Sequence, residues 1–231
     1  MIVIGMIMFD GMTQLDLTGP LEVFSRLPQT RIHLISKNDQ PIKCDKALTV
    51  VPDTDFTNCP ATLDVLFIPG GPGISNLLKD DAYLNFIRSK ADAKYITSVC
   101  TGSIVLAACG LLTDYKATTH WLSIDLLRRF EIETLSERVV VDRNRITGGG
   151  VTSGIDFALL LASILFGDEC AKETQLLIEY NPNPPFHSGH PDIAEENIVQ
   201  RVRDARKETQ KKRLEEIDNY ILRHNIGKQI F

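Results

Sequence analysis

The sequence has few of the features that mark membrane, nucleic-acid-binding or disulfide-rich proteins. Its formal net charge of −5 over 231 residues gives no basic surface for nucleic acid. The apolar run Met1–Met8 lacks a basic leader and is too short to cross a membrane. The five cysteines are an odd number without a Cys-x-x-Cys pair, which argues against a disulfide framework or a structural zinc site. We therefore expect a cytoplasmic protein with free thiols and no bound metal.

What the sequence does have is a regular alternation of strand-like and helical patterns, and its apolar content of 43% suits one globular domain. The strand-like runs are Ile2–Met8, Arg31–Ser36, Val65–Ile68, Tyr95–Val99, Arg138–Asp142 and Arg145–Thr147. The helical patterns are Leu15–Ser25, Ile74–Lys90, Ile104–Leu112 and Ser153–Phe166, the last with a capping box of Ser153 and Asp156. This alternation predicts a mostly parallel sheet with helices on both faces, where ligands bind beyond the carboxyl ends of the strands.

The last part of the chain differs in composition. The proline-rich segment Asn181–Phe186 cannot be helical. We expect residues 1–191 to form the α/β domain and residues 192–231 a charged helical extension. Its glutamates dilute the positive charge that a membrane-binding helix needs, so we expect it to pack on its own domain or on a dimer partner. The stretch Lys207–Arg213 is almost wholly polar.

One strand end carries the candidate nucleophile. The run Tyr95–Val99 leads into Cys100, and a helical pattern follows, so the thiol is expected on a sharp turn beside free helix N–H groups. Such a position favours the thiolate and predicts a lowered pKa for Cys100. Gly102 allows the turn to pack tightly, as in nucleophile turns of the Gly-x-Ser-x-Gly type. A buried structural cysteine is the alternative, since free cysteine is often buried.

Two glycine-rich loops at other strand ends, Pro69–Gly73 and Gly148–Gly150, are expected to converge on Cys100. The N–H groups of Gly71 and Thr101 are candidate donors to a developing anion, each worth on the order of 3 kcal/mol in acyl transfer. Asp16, just after the first strand, is the candidate proton-handling group. Its position alone fits either a placed acid/base or a helix N-cap.

Other chemistry-bearing residues point less clearly to a function. His187 and His190 have no carboxylate cluster near them and are expected at the surface rather than on a metal. Cys109 and Cys170 fall in helical patterns and are expected to pack. Trp121 fits either a pocket wall or the core.

Several segments together are similar to motifs of the ThiJ/PfpI superfamily, and within it most similar to those of isonitrile hydratases. They are Asp16–Phe24, Pro69–Gly73, Ser98–Gly102, Ala117–Trp121, Gly148–Asp156, Ile178–Tyr180 and Pro184–Phe186. The resemblance extends from about Met1 to Ala194. It implies a flavodoxin-like three-layer sandwich, a homodimer, and no metal or organic cofactor.

The resemblance also implies roles for the residues at the matching positions. Cys100 resembles the nucleophile, Asp16 the general acid/base, and Thr101 a residue whose amide and hydroxyl face the site. His120 lies where some members of the superfamily carry a histidine partner for the cysteine. It is expected, with Gly149 and Gly150, to support the site, and a catalytic role is the alternative. The implied reaction is that of a hydro-lyase, which hydrates a small-molecule isonitrile to an N-substituted formamide.

Two other functions fit the same sequence. A non-catalytic ligand or redox sensor would also place an oxidisable cysteine at this position. Another cysteine-dependent enzyme of the fold, of amidase or glyoxalase type, is the second. Sensor domains of AraC-type regulators share the Asp-x-x-Gly-Pro and Ala-Thr-Thr-His-Trp motifs, but the segment after Asp192 is too short for a pair of helix-turn-helix units.

Overall fold

The structure, a computed structural model, describes residues 1–226. The strands within these residues are β1 (Ile2–Ile7), β2 (Thr30–Ser36), β3 (Ile42–Lys43), β4 (Thr49–Val50), β5 (Thr54–Asp55), β6 (Val65–Ile68), β7 (Tyr95–Val99), β8 (Lys116–Ala117), β9 (Glu133–Thr134), β10 (Val139–Asp142) and β11 (Arg145–Gly148). The α-helices are α1 (Gln14–Phe24), α2 (Ile74–Leu77), α3 (Asp81–Ser89), α4 (Gly102–Ala108), α5 (Ile124–Arg128), α6 (Ser153–Phe166), α7 (Asp168–Leu177) and α8 (Glu196–His224).

Seven strands form one central sheet in the order β10-β11-β7-β6-β1-β2-β5. Neighbouring strands pair in parallel except β10 and β11, which form an antiparallel hairpin. The chain moves outward from β1 to β2 and then returns to the other side of β1 at β6. This reversal creates a switch point between β1 and β6, where a parallel α/β sheet opens a crevice for ligands. The predicted flavodoxin-like sandwich with a mostly parallel sheet is confirmed.

An aromatic cluster in the core fixes the elements that carry the site. Phe24 of α1, Phe67 of β6 and Phe157 of α6 are fully buried, and their ring centroids lie 5.6 to 6.4 Å apart. Burying one such side chain stabilises the fold by roughly 1.5–3 kcal/mol. The cluster therefore holds α1 against the sheet next to the switch point.

The predicted single helix Ile74–Lys90 is wrong, because the structure has two helices there. Asp80 between them is extended, with φ −100° and ψ 94°. Its carboxylate accepts hydrogen bonds from the N–H groups of Ala82 at 3.0 Å and Tyr83 at 3.4 Å. An aspartate N-cap of this kind starts a new helix, α3.

The predicted capping box of α6 is also wrong, although the helix has the predicted bounds. Thr152 is the N-cap and makes no side-chain capping bond, and Ser153 Oγ has no hydrogen-bond partner within residues 1–226. The Asp156 carboxylate pairs instead with Arg138 and accepts a hydrogen bond from the Tyr180 hydroxyl at 3.1 Å. It therefore joins α6 to neighbouring segments rather than capping its own helix.

The C-terminal extension contains a helix that packs on its own domain. Asn181–Phe186 is not helical, as predicted, and α8 then runs for 29 residues. Tyr220 of α8 is fully buried, and its hydroxyl donates to the Ala108 carbonyl oxygen at 2.7 Å. Arg88 Nη2 donates to the same hydroxyl at 2.6 Å. The helical arm is thus anchored to α3 and the end of α4.

None of the helices in the described part of the chain has the length and apolar character needed to span a membrane.

Candidate active site

The turn between β7 and α4 places Cys100 at the switch-point end of the sheet. Cys100 has a left-handed backbone with φ 53°, a conformation that costs a non-glycine residue about 1–3 kcal/mol. Its N–H donates to the carbonyl oxygens of Gly148 at 3.0 Å and Gly149 at 2.7 Å. Its own carbonyl oxygen accepts a hydrogen bond from Thr119 Oγ1 at 2.9 Å. These bonds from two neighbouring loops hold the cysteine in its strained position.

Two glycines allow the close contacts that this turn requires. A Cβ on Gly102 would lie 2.2 Å from the Ile68 carbonyl oxygen, so a larger residue would push α4 away from β6. Gly71 has φ +136°, and a Cβ there would lie 2.5 Å from the Thr13 backbone nitrogen. Only glycine fits either position without moving the backbone. The three predicted loops thus meet as expected.

Asp16 lies beneath the same turn and is fully buried. The N-cap of α1 is Thr13, so Asp16 does not cap the helix. Its Oδ2 accepts a hydrogen bond from the Gly70 N–H at 3.1 Å. Oδ1 has no conventional hydrogen-bond partner within residues 1–226, and the carboxyl interacts with the Cys100 thiol. Burial raises the pKa of Asp16 to about 7, against the opposing effects of Cys100 and the Gly70 N–H.

The expectation of a lowered pKa for Cys100 is wrong. Burial, and then the neighbouring Asp16 carboxyl, raise the pKa of this thiol well above its ordinary value. The Thr101 N–H and the Arg213 guanidinium act in the opposite direction, but these interactions are outweighed. Burial and Asp16 therefore favour the thiol form of Cys100, and the proton that it must lose has Asp16 as its neighbour.

Gly71 and Thr101, the predicted backbone donors, are connected to each other. The Gly71 N–H donates to Thr101 Oγ1 at 3.0 Å, and this hydroxyl donates to the Gly71 carbonyl oxygen at 3.3 Å. The Gly71 N–H is thus occupied, and it can serve a reacting atom only if the Thr101 hydroxyl turns away. The Thr101 N–H already interacts with the Cys100 thiol.

A cavity of about 280 Å³ lies above Cys100. Gly71, Thr101 and His120 line it on the side of the sheet, and α8 lines it with four side chains. These are Arg206, Thr209, Gln210 and Arg213. The volume is at the lower limit of ligand pockets and suits a small molecule.

Arg213 is the residue of this site that sequence reasoning missed. Its side chain comes from the polar stretch Lys207–Arg213, yet only 6% of the residue is exposed. Nη1 donates to Ser123 Oγ at 3.2 Å, and Nη2 donates to the Gly71 carbonyl oxygen at 3.5 Å. The available signal was its spacing, because Arg213 lies one turn before Ile217 and two turns before Tyr220, on the buried stripe of α8.

His120 separates the Cys100 cavity from a second cavity of about 440 Å³, which Gly149, Gly150 and Trp121 also line. Its Nδ1 accepts a hydrogen bond from the Leu122 N–H at 3.3 Å. Burial, together with Arg213 and Arg206, lowers the pKa of His120 to about 4. His120 therefore carries a neutral imidazole that holds a turn, and Trp121 is a wall residue of the second cavity.

The remaining candidates lie outside this site. Cys109 is buried at the end of α4, with Sγ 3.7 Å from the Leu84 carbonyl oxygen, which suits packing. Within residues 1–226, no group of three His, Cys, Asp or Glu side chains is arranged to hold a metal ion, and His187 and His190 belong to none.

Fold and site together define an α/β protein that carries a buried cysteine–carboxylate pair on a strand-to-helix turn. A family model described as "DJ-1/PfpI family" matches residues 3–164, and the chain belongs to this family.

Known proteins match this chain over most of its length. Isonitrile hydratase of Pseudomonas putida is 48% identical over 201 residues, which cover 87% of this chain and 88% of that protein. A crystal structure of a ThiJ/PfpI family protein from Pseudomonas syringae is 40% identical, with a TM-score of 0.90 over 93% of this chain and 90% of that one. The HTH-type transcriptional regulator GbdR of Pseudomonas aeruginosa is 29% identical over 72% of this chain, but only 47% of the regulator is covered.

Proposed function

We propose that this protein is an isonitrile hydratase, in which Cys100 is the nucleophile and Asp16 the general acid/base. The observation that carries the proposal is the burial of the Cys100 thiol and the Asp16 carboxyl side by side at the switch point. The identity of 48% to the Pseudomonas putida isonitrile hydratase supports the choice of substrate class. Asp16, with a pKa near 7, is able both to accept and to donate a proton at neutral pH.

In the first step the thiol proton passes from Cys100 to Asp16 as sulfur bonds to the terminal carbon of R–NC. Asp16 then gives this proton to the same carbon, which yields a thioimidate, R–N=CH–S–Cys100. Covalent capture divides a difficult hydration into two easier steps. Asp16 is left ionised beside the intermediate.

In the second step the Asp16 carboxylate takes a proton from water while the water oxygen bonds to the thioimidate carbon. Asp16 returns this proton to the substrate nitrogen, and the carbon–sulfur bond breaks. The remaining hydroxyl proton goes to the Cys100–Asp16 pair, which restores its starting state. The sum is R–NC plus water giving R–NH–CHO, with no oxidant, reductant or metal required.

Turnover of a simple alkyl isonitrile, with the formamide detected by mass spectrometry, tests the proposal. We expect Cys100→Ala to abolish formamide production. Cys109→Ala is the matched control, because Cys109 is also buried but lies away from the cavity. Turnover by the Cys100→Ala variant would reject Cys100 as the nucleophile. Absence of turnover by the unmodified protein with both a neutral and an anionic isonitrile would reject the hydratase.

The burial of Cys100 beside Asp16 argues against the sensor alternative. Oxidation to the sulfenic acid requires thiolate character, and burial and Asp16 both oppose it here. Residues 196–224 form one continuous helix that closes over the cysteine, so this segment is not itself a helix-turn-helix. An assay with glyoxal tests the alternative of a glyoxalase-type enzyme.

We further propose that the enzyme works as a cytoplasmic homodimer. Leu160 and Ile164 lie one turn apart on α6 and are 37% and 39% exposed, and Leu176 and Leu177 on the adjacent α7 are 81% and 68% exposed. An apolar surface of this kind is typical of a protein interface. The five free cysteines support a reducing compartment.

A further inference from the structure

The guanidinium of Arg213 is buried in the cavity wall that faces Cys100, and no residue of the described part of the chain is its counter-ion. Among residues 1–226, no carboxylate oxygen lies within 4.0 Å of it. Its hydrogen bonds go to the neutral hydroxyl of Ser123 and the neutral carbonyl of Gly71, and its buried Nε has no hydrogen-bond partner among the residues that the structure describes. Buried charges in proteins are ordinarily paired, because an isolated ion loses its hydration without compensation.

The surroundings of Arg213 leave this charge uncompensated. Arg206 and Lys46 line the same cavity and add positive charge, whereas Asp45 is the one carboxylate that lines it within residues 1–226. Thr13 Oγ1 donates to the Asp45 carboxylate at 3.2 Å, and the Asp16 carboxyl is used by the Gly70 N–H and Cys100. The wall of the cavity formed by α8 is therefore electropositive and faces the reactive thiol.

We propose that Arg213 binds a carboxylate carried by the substrate, so that the isonitrile hydrated here is an anionic one. This inference rests on the proposed hydratase function and names the substrate class. A guanidinium matches a carboxylate in charge and in its N–H donors, and Arg213 lines the cavity that holds the Cys100 thiol. Since Arg213 and Thr101 both contact Gly71, the separation between the carboxylate and the isonitrile carbon must be short.

Isocyanoacetate and its ethyl ester form a matched pair of probes, because they share the reacting group and differ in charge. We expect the unmodified protein to have a kcat/KM about 10- to 100-fold higher for isocyanoacetate than for the ester, the range of a hydrogen bond to a charged group. Arg213→Met should remove this preference mainly through KM, and Arg213→Lys should retain part of it. Lys212→Met is the control, because Lys212 is exposed on the same helix and does not line the cavity.

An equal loss for both substrates in Arg213→Met would overturn the inference, since Arg213 would then act on the reacting atoms. The inference would also be overturned if Arg213→Met left the ratio of kcat/KM for isocyanoacetate to kcat/KM for the ester unchanged. The same holds if the unmodified protein showed no preference for isocyanoacetate. If the ester is hydrated, the proposed function stands whatever the ratio.

Alkylation of Cys100 tests the carboxylate site without any hydratase turnover. The rate ratio of iodoacetate to iodoacetamide, followed by the mass of the Cys100 peptide, is expected to fall about tenfold in Arg213→Met and to stay constant in Lys212→Met. A ratio that Arg213→Met does not change would show that no carboxylate is bound there. Failure of both isonitriles to react, with the alkylation ratio as expected, would reject the hydratase and keep the anion site.

Discussion

Replacement of Asp16 by asparagine distinguishes a catalytic carboxylate from a structural one when stability and activity are measured together. Asp16 is fully buried, and its burial raises its pKa to about 7. Above this pH the folded protein holds an ionised carboxylate that would be better hydrated in the unfolded chain. An asparagine keeps an acceptor for the Gly70 N–H and carries no charge.

The size of this stability change follows from the difference between the pKa of Asp16 in the folded protein and its pKa in the unfolded chain. The difference between about 7 in the folded protein and the ordinary 3.8 corresponds to at most about 4 kcal/mol, since each tenfold change in proton affinity is about 1.4 kcal/mol. The folded state binds the proton more tightly, so the contribution of Asp16 to the free energy of unfolding falls as the pH rises from about 4 to about 7. The full destabilisation is present above pH 7. Asp16→Asn is therefore expected to stabilise the protein at pH 8 and to change its stability by less than about 1 kcal/mol at pH 4.

Urea denaturation at the two pH values measures this difference. Asp64→Asn is the matched control, because Asp64 also accepts a backbone N–H, from Val3 at 2.8 Å, but is only partly buried. Asp64→Asn should not increase the free energy of unfolding at pH 8. In the same samples Asp16→Asn should lower isonitrile turnover by roughly two to four orders of magnitude. A destabilised Asp16→Asn variant at pH 8 with near-native turnover would refute the reasoning and make Asp16 a structural residue.

Three further outcomes are expected. Alkylation of Cys100 by iodoacetamide should still accelerate with pH above pH 9, because burial and Asp16 raise the pKa of the thiol; a plateau below pH 8 would contradict this. Since the pKa of His120 is about 4, His120→Gln should leave the shape of the pH–activity profile between pH 5 and 8 unchanged. Loss of an inflection near pH 6.5 in this variant would instead assign His120 a role in proton transfer. Light scattering should give twice the 25.8 kDa of one chain, and Ile164→Glu should halve that mass; a monomeric unmodified protein would reject the dimer.

Helices and strands whose bounds depend on neighbouring residues could be predicted from the sequence. The strand Val65–Ile68 and the helix Ser153–Phe166 have the predicted bounds, because each is an apolar run that ends at a turn or a glycine. The break at Asp80 was missed because the apolar spacing continues across it, while the capping carboxylate acts within three residues. Helical periodicity alone does not show that a helix restarts.

Properties of the site that depend on distant residues could not be predicted. The sequence places Cys100 at a helix N-terminus, but it does not show how deeply the thiol is buried or that Asp16 lies beside it. Those two facts reverse the direction of its pKa shift. Arg213 reaches the site from a helix beyond the segment matched by the family, so no local motif around Cys100 predicts it.

The position of Arg213 in the chain also has a consequence for the order in which the site is completed. Cys100, Asp16 and the loops that hold them belong to the first 150 residues, whereas α8 begins at Glu196. During synthesis from the N-terminus, the reactive pair can fold before the helix that covers it has left the ribosome. At that stage the nascent protein has the Cys100–Asp16 pair but lacks the electropositive cavity wall that α8 forms. For the same reason, substitutions in α8 can change what reaches the cysteine while leaving the cysteine turn intact, which makes this helix a separate target for redirecting the enzyme to new substrates.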